Sequence, residues 1–88
     1  MARFDEFNGS FGTMGARSQA DMLCDLGLMY ATGRDCETDL VAAHKWFNIA
    51  AIRGSAEAVR LRAELTRALT KQQLARALRE AREWMTIH

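Results

Sequence analysis

Two consecutive segments of this chain share one design: apolar residues at helical spacing, small residues among them, and a glycine at the end. Leu26, Gly27, Met29 and Tyr30 precede Gly33, and Ala43, Trp46, Ala50 and Ala51 precede Gly54. Each pattern reads as an amphipathic helix, and the short stretch between them makes the two helices antiparallel neighbours. A lone helix pair cannot bury all of its apolar surface, so it must stack on further structure. Proline is absent from all 88 residues, which fits helices joined by short connections.

Local signals place four helices. Ser18 is suited to cap a first helix over about residues 19–32, with Asp21 near its positive end. Its expected stripe is Met22, Leu23, Leu26, Met29 and Tyr30. Gly27 lies inside it at a cost of about 1 kcal/mol relative to alanine, which makes sense where a neighbouring helix comes too close for a side chain. Gly33 then supplies a left-handed cap. Asp39 caps the second helix, whose stripe is Leu40, Ala43, Phe47, Ala50 and Ala51 with Trp46 beside it. Ser55 caps a third over about residues 56–68, where Ala58, Leu61 and Leu65 share a face. Thr70 and Gln73 form a capping box for the fourth, and Leu69 and Leu74 occupy the positions of a hydrophobic staple. Its stripe is Leu74, Leu78, Ala81 and Met85, with Trp84 adjacent, and it is expected to reach about Met85.

Residues 1–17 read differently. Gly9, Gly12 and Gly15 make a poor helix, although Phe4, Phe7, Phe11 and Met14 keep helical spacing. The expectation is an irregular arm, followed by a single domain over residues 18–88. The three phenylalanines either pack back on the helices or meet a partner.

Charge divides the chain. Up to His44, three arginines face seven carboxylates; from Lys45 onward, nine lysines and arginines face four glutamates. Such a distribution can orient a charged partner, though solvated helix faces produce it too. No stretch is apolar enough to serve as a signal peptide or to span a membrane, and Cys24 and Cys36 make no disulfide framework. A cytoplasmic protein is expected.

The stretch from Leu26 to Ala58 resembles a Sel1-like repeat, a relative of the tetratricopeptide repeat. Leu26, Gly27, Tyr30, Gly33, Asp39, Ala43, Trp46, Ala50, Ala51, Gly54 and Ala58 stand in the register of its pattern. The loop departs from it, with Asp35 and Cys36 where glycine and valine are usual. Leu69, Thr70, Gln73, Ala77, Ala81 and Trp84 resemble the C-terminal cap of small bacterial proteins of this kind. The resemblance implies an all-α, right-handed α/α superhelical stack, here four helices in two antiparallel pairs: one repeat plus a capping pair. It also implies a non-catalytic scaffold, adaptor or accessory subunit whose first helix lines a concave face. On that helix Asp21, Asp25 and Met29 are the candidate partner contacts, with Phe4, Phe7 and Phe11 of the arm. The partner is another protein, a larger complex or a second copy.

Other chemistries find little support. Cys24, Cys36, His44 and His88 lack the paired short spacing of a zinc site, and a Cys36–His44 nucleophile has no third residue or oxyanion donor to complete it. Neither a cofactor nor a metal is expected. His44 reads as a packing or surface residue, and Trp46 and Trp84 as fillers of helix seams. The alternative function is nucleic-acid binding through Arg60, Arg67, Arg76, Arg79 and Arg82. Interleaved Glu64, Glu80 and Glu83 dilute that charge through pairs such as Arg60–Glu64 and Arg79–Glu83, so nucleic acid is disfavoured.

Overall fold

The computed structural model describes residues 18–88. They form α1 (Gln19–Thr32), α2 (Leu40–Ile52), α3 (Ala56–Ala68) and α4 (Lys71–Ile87), with no strand among the described residues. The arm and its Phe4, Phe7 and Phe11 lie outside the described residues.

Every helix starts where a side chain takes up an orphan backbone N–H. Ser18 Oγ accepts from Asp21 N at 3.0 Å, Asp39 Oδ1 from Ala42 N at 3.0 Å, and Ser55 Oγ from Ala58 N at 3.1 Å. The capping box is complete: Thr70 Oγ1 accepts from Gln73 N, and Gln73 Oε1 accepts from Thr70 N. Gly33 ends α1 at φ 76°, its N–H returning to Met29 O at 2.9 Å. Asp35 also adopts a left-handed conformation, at φ 63°, in keeping with the tolerance of aspartate for that region. α4 runs two residues beyond Met85.

α2 is the hub, packing on each of the other three helices. It is antiparallel to α1: Arg53, just past the end of α2, bonds Gln19 at the start of α1, while Asp39 N donates to Tyr30 O at the opposite end. Midway, Phe47 lies against Gly27. It is antiparallel to α3 as well, where His44 meets Thr66 and Asn48 meets Arg62. α4 runs alongside α2 in the same direction: Val41 and Gln73 line one cleft near their starts, and Trp46 meets Trp84 further along. The core is Leu23 and Cys24 of α1, Ala43, Phe47, Ile49 and Ala50 of α2, Ala58 of α3 and Ala81 of α4. Full burial of Phe47 or Ile49 contributes about 1.5–3 kcal/mol each.

Two stripes are rotated from their expected positions. α1 buries Ala20, Leu23, Cys24 and Gly27, and leaves Met22 55% exposed. α4 buries Ala77 and Ala81, and leaves Leu78 40% exposed. In both cases the small residues face α2, because they let the backbones come close. α2 also buries Val41, His44 and Ile49, outside its expected stripe. A helix with neighbours on three sides has no solvent face to spare.

Candidate functional site

The residues expected to meet a partner lie together on the outside of α1. At 3.6 residues per turn, Met22, Asp25 and Met29 fall on the side opposite Leu23, Cys24 and Gly27, with Asp21 and Leu26 flanking them. Met22 and Asp21 are exposed; Asp25, Leu26 and Met29 are half-buried. α1 packs on α2, and α3 and α4 touch it little. The outer side of α1 is therefore an apolar strip of Met22, Leu26 and Met29 beside two carboxylates. Met22 and Leu26 enter this face instead of the core. A glycine and small residues on the other side of α1 carried the signal for that rotation.

Of the positions that carry the resemblance, Gly27, Ala43, Ala50 and Ala58 serve packing, whereas Leu26 stands on the outer side of α1. Ala43, Ala50 and Ala58 are fully buried, and Gly27 admits the Phe47 ring. Trp46 and Trp84 meet edge to face with centroids 5.4 Å apart. The Lys45 ammonium sits 4.4 Å from the Trp46 ring centre, and the Arg53 guanidinium 5.6 Å from that of Trp84. Trp84 also stacks on His88 at 4.2 Å.

His44 is a packing residue, 1% exposed between α2 and α3. Its Nε2 lies 2.9 Å from Thr66 Oγ1, which itself donates to Arg62 O at 2.8 Å. Thr66 has a single hydroxyl proton, so it accepts from Nε2–H and the imidazole carries its proton there. Nδ1 is left buried without a partner. Burial holds His44 below its ordinary pKa, and the Arg62 cation adds to the depression. Cys36 is not its partner: that thiol lies in the 33–39 loop, 3.7 Å from Met29 O. Cys24 is buried beside α2, and burial pushes its thiol pKa up.

A cleft of about 450 Å³ opens between that loop and α4, lined among others by Tyr30, Cys36, Glu37, Asp39 and Gln73. The polar groups of Asp39 and Gln73 are engaged in helix capping. Among the described residues, no three His, Cys, Asp or Glu side chains converge as metal ligands, and no helix is long and apolar enough to cross a membrane.

Arginines divide between paired and open. Arg60 bonds Glu64 at 3.0 Å as expected; Arg76, not Arg79, makes the pair on α4, with Glu80 at 2.8 Å. Lys71, Arg79 and Arg82 are exposed along α4 and make no ion pair among the described residues. No family model, curated protein or solved structure matches the chain.

Proposed function

We propose that this chain is a non-catalytic protein-binding module, a single Sel1-like repeat closed by a capping helix pair, acting as a scaffold, adaptor or accessory subunit. The observation that carries this reading is the outer side of α1. Met22, Leu26 and Met29 form a strip on the side of α1 away from α2, the one helix on which α1 packs extensively among the described residues. Apolar strips rimmed by charge are the usual ground for helix-face recognition, the apolar part supplying affinity and the carboxylates orientation. The side chains with chemical potential speak for packing instead: His44 is spent on Thr66, and Cys24 lies in the core. The free thiols fit a reducing compartment, and a cytoplasmic setting belongs to the proposal.

The test is affinity capture from the native source with the wild-type chain and with Asp25→Lys, followed by mass spectrometry. The wild-type chain retains a specific protein; Asp25→Lys loses it while keeping its helical fold by circular dichroism. Equal recovery by both removes α1 as the binding face.

Nucleic-acid binding is the second reading, favoured by exposed Lys71, Arg79 and Arg82. It requires binding of generic single-stranded RNA or DNA that weakens steeply with salt.

A further inference from the structure

We propose that His44 makes the seam between α2 and α3 an acid-sensitive latch, in which uptake of a proton by the imidazole frees α3 from α2 while α1 stays packed. The latch works whatever the chain binds. α3 has the fewest buried residues to hold it: Ala58 alone, against two in α4 and four in α1. It packs on α2 and touches the other helices little. Leu61 and Leu65 rest half-buried against the core. Two polar ties complete the seam, His44 Nε2 with Thr66 Oγ1 at 2.9 Å and Arg62 with Asn48 Oδ1 at 2.8 Å. The chain is not helical at either end of α3. Gly54 stands at φ 114° with open space where a β-carbon would be, and Leu69 is extended. α3 can therefore part from α2 without unwinding α2 or α4.

The His44 ring stands inside that seam, 1% exposed. Neutral, it fits, because Nε2–H donates to Thr66. Charged, it does not. Nδ1 would gain a proton with no partner among the described residues, and a buried charge without a partner is costly. Arg62 is the charged group of α3 that acts on the ring, and it is itself a cation. Lys45, next to His44 on α2, is turned to the Trp46 ring. Among the described residues of α1 and α4, no carboxylate or other charged group acts on the ring to offset the new charge. Its own backbone favours the proton, but more weakly than burial and Arg62 oppose it. The other imidazole of the described residues, His88, stacks on Trp84 at the end of α4. The closed seam thus refuses a proton that the opened seam accepts at the ordinary imidazole value. The latch holds above about pH 6.5 and loosens as pH falls below it.

Hydrogen exchange of the whole chain, read amide by amide by NMR at pH 7.5 and 5.5, tests this. Each rate is divided by that of an unstructured chain at the same pH. Interior amides of α3 should be less protected than those of α1 around Leu23 and Cys24, and should respond less to low urea, because they exchange through a smaller opening. Their protection should fall about tenfold from pH 7.5 to 5.5. His44→Gln, which keeps a donor for Thr66, should abolish that fall, and His88→Gln should leave it in place. Should His44→Gln fail to fold by circular dichroism, the wild-type chain supplies a second reading: the His44 ring, followed by NMR, takes up its proton over the pH range in which α3 loses protection.

α3 amides as well protected as those of α1 overturn the latch, since α3 then opens only with the whole fold. So does α3 protection that ignores pH. A fall that persists in His44→Gln, or that disappears in His88→Gln, overturns the role of His44, as does a His44 ring that titrates while α3 protection stays constant.

Discussion

The Phe47 ring fills the space where a β-carbon on residue 27 would stand. A methyl group built there would lie 2.5 Å from Phe47 Cδ1 and 2.6 Å from Cε1. Phe47 is 1% exposed, so the ring has nowhere to retreat. Gly27→Ala ought to gain about 1 kcal/mol of helix propensity and lose about 1–3 kcal/mol to overpacking. A net loss in urea denaturation is expected. In a Phe47→Leu background the ring is gone, and the same Gly27→Ala change should become neutral or stabilising. A change of equal size in both backgrounds would show that Gly27 is not kept for the ring.

His44 gives stability a pH dependence of definite sign. Its folded pKa is depressed by burial and by Arg62. As pH falls through about 6.5, the ordinary imidazole value, the unfolded chain takes up a proton that the folded chain refuses. Stability is therefore full above that pH and is lost below it, with a slope of at most about 1.4 kcal/mol per pH unit. Urea midpoints at pH 7.5 and 5.5 measure this. His44→Gln keeps a donor for Thr66 and should flatten the profile between those values. An unchanged slope in His44→Gln would place the dependence elsewhere.

Thr70 opens α4 with its hydroxyl on Gln73 N, and Gln73 answers with its own side chain. Thr70→Ala should cost about 0.5–2 kcal/mol, the usual loss of an N-cap. Thr70→Ser should cost far less. Thermal melts of the two variants compare them directly, and equal losses would deny the hydroxyl its role.

The two thiols should separate in alkylation. Cys36 is half-buried in a loop; Cys24 is in the core with its pKa raised, chiefly by burial. Iodoacetamide should label Cys36 in the native protein and Cys24 only in denaturant. Mass spectrometry of native protein labelled first at Cys24 would contradict the packing of α1 on α2.

The helix starts were legible because capping is a local rule: Ser18, Asp39, Ser55 and Thr70 each act within three residues of themselves. Gly27 and Gly33 were legible for the same reason, through backbone requirements that few residue types meet. The rotation of α1 and α4 was not. Both helices are apolar on more than one side, so Met22, Leu26 and Leu78 outweigh Ala20, Cys24 and Ala77 in any reading of hydrophobic spacing. Contact distance reverses that weight, since small residues take the tightest seams. His44 was ambiguous because its burial depends on Thr66, 22 residues away. The candidate face was named through Asp21, Asp25 and Met29, but its apolar partners Met22 and Leu26 were read as core.

Methionine-methyl NMR tests the binding role of α1 most directly. Met22 and Met29 lie on the outer side of α1, while Met85 packs against the core and serves as an internal control. The methyl resonances are followed as captured protein is titrated in. Met22 and Met29 should shift or broaden while Met85 stays in place. Binding that leaves Met22 and Met29 unmoved would contradict a binding role for this face.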